Sequence, residues 1–163
     1  MRQAIVVDRA GGPEVLRAVS LKSEPLAPGQ VRVKVHDAGI NFWDVVQRRG
    51  GIPVASPTVL GNEGVGVVTE IHPGADSLTV GRRVAWGKVP GSYSTEVVAD
   101  ARWFVPVPDN VSDEQAASVL VQGVTAWYLA AEVWPLGTGD AAVVRAAAGG
   151  VGTLLSQVLS ARG

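Results

Sequence analysis

Cysteine is absent from the 163 residues. Disulfides, thiolate nucleophiles and cysteine-based zinc sites are therefore excluded. Charge of either sign is scarce and balanced: Lys+Arg 14 against Asp+Glu 15 leave a formal net charge of −1. Such a chain carries no global field to attract nucleic acid or an anionic membrane. Only two histidines occur, His36 and His72. Long hydrophobic runs are missing as well. The apolar start at residues 4–7 is too short for a signal-peptide core and ends at Asp8 and Arg9. No stretch approaches the roughly 20 apolar residues that span a bilayer. The expected compartment is the cytoplasm, with neither nucleic acid nor membrane as a partner.

What is present is the composition of a packed core. Hydrophobic residues make up 47% and charged residues 18%, the balance of a globular chain rather than a disordered one. Gly 20 and Pro 10 predict many turns. At about 150 residues per domain, the length allows one domain, or one and a small piece of another.

The first two thirds punctuate like an all-β domain, with short Val-rich runs between Gly/Pro signals. Val31, Val33 and Val35 alternate with Arg32, Lys34 and His36, so one face is buried and the other is wet. Residues 64–71, 82–86 and 94–99 read as three more strands. Phe42, Val45 and Val46 have helical spacing and predict a short helix over residues 41–48. The character changes after Pro106-Val107-Pro108. Ser112-Asp113-Glu114-Gln115 has the form of a capping box. An Ala/Val/Leu-rich stretch runs to Val133, with Gly123 expected to break it into two helices. Residues 135–140 form a loop. Residues 141–146 are almost continuously apolar, the signature of a strand covered on both faces in a parallel sheet. Gly149-Gly150-Val151-Gly152 then leads into a helix carrying Leu154, Leu155, Val158 and Leu159.

Strand, glycine turn, helix opens a dinucleotide-binding sheet. Glycine is needed there because a pyrophosphate must approach backbone N–H groups at a helix N-terminus, where a Cβ would intrude. The window Ala147-Ala148-Gly149-Gly150-Val151-Gly152 meets the second and third glycines of G-x-G-x-x-G; Ala147 stands at the first. Close packing alone can also demand such a turn. The residue that reads the ribose, about 20 positions further on, would fall past Gly163. A single buried parallel strand also needs neighbours for its backbone groups. The expectation is a longer protein, or a partner chain that completes the sheet.

Four ordered motifs carry a resemblance: Gly11-Gly12-Pro13-Glu14-Val15-Leu16, Gly39-Ile40-Asn41-Phe42-Trp43-Asp44, Gly61-Asn62-Glu63-Gly64-Val65-Gly66, and Ala146-Ala147-Ala148-Gly149-Gly150-Val151-Gly152. The chain resembles the front portion of the zinc-free quinone oxidoreductases (zeta-crystallin-like) of the medium-chain dehydrogenase/reductase superfamily. The resemblance implies a mostly β fold with an α/β end. A GroES-like, partly open β-barrel spans residues 1–111. Linking helices and the first βα unit of an incomplete Rossmann domain span residues 112–163. It also implies NADPH as cofactor, a small-molecule substrate and a homodimer. In the family the chain returns to the catalytic domain at its C-terminus, over about twice this length.

The site residues follow from the same resemblance. Zinc-dependent relatives carry Cys where this chain has Asn41 and His where it has Asn62. Asn is a poor zinc ligand, and His36 and His72 read as solvated surface residues, so no metal is expected. A zinc-free reductase polarises its carbonyl or enone by hydrogen bonds while NADPH delivers hydride. Asn41 and Thr125 are the expected catalytic residues. Asn41, Thr125 and Tyr128 would flank the nicotinamide, and Ala148, Gly149, Gly150, Val151 and Gly152 would hold the diphosphate. Asn41 would offer an amide donor to a carbonyl oxygen and Thr125 a hydroxyl to the carboxamide. Fixing a turn and packing in a helix are the structural alternatives for these two. Trp43, Val46 and Ile52 are the expected substrate-pocket residues. The family often has tyrosine where Val46 and Ile52 stand, which makes this pocket more apolar and a classical quinone less secure. Core filling is the alternative for Trp43.

Other chemistries find little support. Glu63 reads as a structural carboxylate that caps backbone N–H groups, and no second carboxylate stands at a fixed spacing from it. Ser92, Ser94 and Ser118 lack a G-x-S-x-G setting. Arg82-Arg83 is too small a basic patch for nucleic acid. The function expected is NADPH-dependent reduction of a quinone, enone or related carbonyl. The alternatives are a non-redox small-molecule binder or subunit needing a partner chain, and a non-redox cyclase-type enzyme on the same scaffold.

Overall fold

The computed structural model describes residues 1–53 and 55–163. It divides into two compact units, Met1–Ala117 and Ser118–Gly163.

The first unit is built of antiparallel strands. β1 (Arg2–Val7) pairs with β2 (Arg17–Leu21) and β4 (Thr58–Val59) in a three-stranded sheet. A five-stranded sheet follows the order β7 (Glu96–Asp100), β3 (Gln30–Gly39), β5 (Glu63–Ile71), β6 (Arg83–Trp86), β8 (Val105–Pro106). The alternation read at residues 31–36 is real. Val31 and Val33 are fully buried. Arg32 between them points outward and bonds Glu70 at 2.9 Å and Glu96 at 2.8 Å. These carboxylates come from the two flanking strands, β5 and β7, so one guanidinium ties three strands together.

The core of this sheet gathers Val31, Val33, Val68, Val84, Trp86, Val97 and Phe104. Trp86 meets Phe104 edge-on at 5.5 Å between ring centroids. Its indole N–H donates to Ser92 Oγ at 2.8 Å, and Ser92 in turn donates to the Val89 carbonyl at 3.0 Å. The one polar atom of this buried ring is therefore satisfied, as a dry core requires. Gly61 closes the approach to β5 with φ +88°, and a Cβ there would collide with the Tyr93 ring. Glycine is required on both counts.

α1 (Phe42–Arg48) forms where helical spacing predicts it. α2 (Asp113–Tyr128) starts at the predicted capping box: Gln115 N–H donates to Ser112 Oγ at 3.2 Å, and Ser112 N–H donates to Gln115 Oε1 at 3.0 Å. Gly123 does not break this helix. The run of good helix formers on either side outweighs one glycine, whose cost is about 1 kcal/mol. The helix ends instead in a π-helical turn, Leu129–Val133. Together Asp113–Val133 reach 21 residues at mean hydropathy 1.2, with 22% of the apolar window buried. By length and composition this stretch passes for a membrane span. The expectation that no such stretch exists is corrected: Ala and Val raise the average while Gln122 and Thr125 interrupt the run.

In the second unit, α3 (Gly150–Arg162) follows the glycine turn as predicted. The predicted strand at residues 141–146 is corrected. Among the described residues no strand pairs with it, residues 145–148 turn, and Val143 is 95% exposed. A ladder needs a partner to satisfy its N–H and C=O groups. Ala146 adopts a left-handed φ of +52° just before the glycines.

Candidate functional site

The first unit concentrates its buried polar groups around the N-terminus of α1. Asn41 is the N-cap residue, and its backbone N–H donates to Asp44 Oδ2 at 2.9 Å. The side-chain Nδ2 of Asn41 donates to Glu63 Oε2 at 2.8 Å. Glu63 is 0% exposed and Asp44 4%. Glu63 thus meets the Asn41 side chain, a partner that the reading of it as a cap of backbone N–H groups leaves out. Asp44 also accepts from the Tyr93 hydroxyl at 2.8 Å and, more weakly, from Asn62 Nδ2 at 3.4 Å. Burial pushes the Tyr93 phenol well above its ordinary value. The Asp44 hydrogen bond and the charges of Asp44 and Glu63 push the same way. Tyr93 therefore stays a donor.

Beside this network lies a cavity of about 580 Å³. Ile5, Leu16, Ile40, Val45 and Leu60 make its wall apolar, and Asp44, Arg48 and Tyr93 add the polar groups. Apolar walls with a few convergent polar groups suit a small organic ligand. The residues predicted for the substrate pocket lie elsewhere on α1 and the segment after it. Trp43 is 53% exposed and so does not fill the core. Val46 is half-buried, and its carbonyl accepts from Gly51 N–H at 3.0 Å. Ile52 lines a smaller cavity of about 210 Å³ with Gln47, Arg48 and Gly50. Ile40 and Phe42, on either side of Asn41, are 78% and 74% exposed.

The two histidines differ. His36 Nδ1 meets Asp113 Oδ2 at 2.8 Å. Arg83 holds the other oxygen of the same carboxylate at 2.6 Å. His36 lies at the surface, as expected, and there it also meets the first residue of α2. His72 lies 3.3 Å from the Pro73 carbonyl. Among the described residues, no group of three or more His, Asp or Glu side chains is placed to hold a metal ion.

In the second unit, Thr125 donates its hydroxyl hydrogen to the Val121 carbonyl at 2.6 Å. Its oxygen keeps acceptor capacity. Tyr128, three residues on, is 55% exposed. Gly149 caps α3, and its N–H donates to the Ala146 carbonyl at 2.9 Å. It is not a bare amide. The first helical bond is Thr153 N–H to Gly149 O at 2.8 Å. The amides of Gly150, Val151 and Gly152 therefore precede the helical ladder, as anion-binding amides do. Gly152 has a packing reason besides: a Cβ there would collide with the backbone of Ala146 and Ala147. Ala148 completes the turn. These features fit a dinucleotide diphosphate.

Residues 27–109 match the alcohol dehydrogenase GroES-like domain, about half of the chain. The chain belongs to the alcohol dehydrogenase GroES-like domain family. Its resemblance to the front portion of the medium-chain quinone oxidoreductases holds over nearly the whole chain. It is 37% identical over 155 residues to a quinone oxidoreductase of Pseudomonas aeruginosa, covering 94% of this chain and 48% of that protein. It is 43% identical over 134 residues to polyketide synthase GfsB of Streptomyces halstedii, covering 82% of this chain and 2% of the synthase. Among solved structures, Escherichia coli quinone oxidoreductase complexed with NADPH superposes with a TM-score of 0.96 at 33% identity, covering 99% of this chain and 50% of that one. The chain thus spans about half the length of the quinone oxidoreductases it matches.

The polar network around Asp44 was missed by sequence reasoning. Tyr93 and Asp44 are 49 positions apart, and no spacing rule connects them. The one available signal was Gly61-Asn62-Glu63-Gly64, where two polar side chains sit in a glycine frame.

Proposed function

We propose that this chain forms the barrel and the first nucleotide-binding elements of an NADPH-dependent oxidoreductase. It would reduce a quinone, enone or related carbonyl compound without zinc. The observation that carries the reading is the turn before α3, where three amides precede the helical ladder on a backbone packed too closely for side chains at Gly152. The NADPH complex of the similar Escherichia coli protein supports the same cofactor. NADPH, when bound, supplies the hydride.

The chain's own residues do the rest. The amides of Gly150, Val151 and Gly152 take the diphosphate at the positive end of α3. By the family resemblance, Asn41 of the first unit and Thr125 and Tyr128 of the second are the residues proposed to orient the nicotinamide and the substrate. The apolar wall of Ile40, Val45 and Leu60 suits an uncharged, conjugated substrate better than a charged one. With Asn41 and Asn62 bonded to carboxylates, the polar cluster works by hydrogen bonding rather than by Lewis-acid chemistry. A cytoplasmic location and a homodimer belong to the same proposal. One observation favours a subunit reading as well: the apolar run at residues 141–144 pairs with no strand among the described residues and leaves Val143 exposed, as suits a segment that a partner covers.

The test is titration of the natural gene product containing these residues with NADPH, read by tryptophan fluorescence. Saturable binding below millimolar concentration is expected. Gly149→Val should abolish it, because a branched side chain at the cap obstructs the phosphate approach, while the barrel stays folded. Equal affinity in that variant tells against the phosphate role.

A further inference from the structure

Glu63 is a buried acid that the reaction above does not touch. Burying a carboxylate is costly unless it is well partnered. Its Oε2 takes the Nδ2 hydrogen of Asn41 at 2.8 Å. Gly39 stands directly opposite Glu63 in the β3–β5 ladder, and a Cβ at Gly39 would collide with this carboxylate and with the Ala117 carbonyl. The strand gives up a side chain to make room for the acid. The main chain of Asn41 is held separately, by Asp44. Asn41 is therefore fixed at two points by two buried carboxylates.

We propose that Glu63 is a positioning residue that acts through Asn41. It fixes the amide nitrogen toward the acid, while the capping box sets the amide oxygen beside the Asp44 backbone N–H, and so it sets which hydrogen-bonding character the amide offers a ligand. The inference rests on the reductase reading and deepens it. A carboxylate only accepts, so one of the two amide orientations is excluded. An amide that gives a hydrogen to an anion also gains electron density at its oxygen and becomes a weaker donor elsewhere. Negative charge behind the amide is poorly placed to stabilise a developing oxyanion. Asn41 is accordingly tuned to accept an N–H or O–H of its ligand, such as a carboxamide or a hydroxyl. It is not tuned to donate to the carbonyl being reduced. The sequence expectation of a donor is reversed by its neighbour.

The test uses the natural gene product and four variants: Glu63→Gln, Glu63→Leu, Asn41→Ala and the double Asn41→Ala/Glu63→Leu. NADPH affinity is read by fluorescence, and the side-chain amide signal of Asn41 by 15N NMR. Glu63→Gln keeps an acceptor, so affinity should stay within about threefold, while the Asn41 amide signal shifts as the charge is removed. Glu63→Leu should weaken binding by roughly 10- to 100-fold, as misplacement of a positioned group does, and match Asn41→Ala. The double variant should be no worse than either single, the mark of one residue acting through the other. Losses that multiply in the double variant overturn the inference while leaving the reductase reading intact. Should Glu63→Leu not fold, an unmoved Asn41 signal in Glu63→Gln overturns it equally. Wild-type protein with no saturable NADPH signal removes the reading and the inference together.

Discussion

Tyr93 carries a hydroxyl whose ionisation is opposed from three directions: burial, the bond to Asp44, and the charge of Glu63. Tyr93 and Tyr128 are the two tyrosines of the chain. In a Tyr128→Phe variant the 295 nm phenolate absorbance should not rise near pH 10, the ordinary phenol value. A transition centred there contradicts the buried bond. Asp113 is the opposite case. The hydrogen bond from His36 and then the Arg83 guanidinium hold its carboxyl below the usual range, against the effect of burial. The stability it contributes is present above the ordinary carboxylate value, near pH 4, and is lost as pH falls through the lowered one. Thermal melts at pH 7 and pH 3 should show a larger loss for wild type than for Asp113→Asn. Equal losses contradict the clamp. At this scale the sequence exposes residue types but not partners. Asn41 stood out by its motif, yet its side chain bonds Glu63, 22 positions away and brought beside it by the β3–β5 ladder.

Elements were legible where periodicity was strong. The alternation at residues 31–36 and the Val-rich run into Ile71 both became strands of the five-stranded sheet. The capping box at Ser112 marked the start of α2 correctly, because both of its bonds are local. β1 and β2 were not singled out. Arg17–Leu21 mixes polar and apolar residues without a buried face, and its partner strand lies 10 or more residues upstream. Residues 141–146 failed for the converse reason: the pattern is intrinsic, but the ladder is not. Gly123 failed because a breaker was read locally while the whole helix outweighed it. That glycine sits in the interior of a 16-residue helix, and a Cβ there would lie 3.8 Å from Leu154 Cδ1, an ordinary contact. Gly123→Ala should therefore stabilise the protein by about 0.5–1 kcal/mol, seen as a higher melting temperature. A lower one would mean the helix needs a bare backbone at that point.

At the scale of the whole chain there are two compact units. The first provides a buried polar network beside an apolar cavity; the second provides a glycine turn at the start of α3. The second unit exposes Trp127, Trp134 and Val143, which are large apolar surfaces. The proposed activity is zinc-independent hydride transfer from NADPH to a conjugated carbonyl or quinone. The most direct measurement incubates the natural gene product with NADPH deuterated at the transferred position, a quinone or an α,β-unsaturated ketone, and a strong metal chelator. Transfer of the label should proceed at the same rate with and without chelator. Loss of transfer on chelation, or no NADPH oxidation with either acceptor class, would contradict the account.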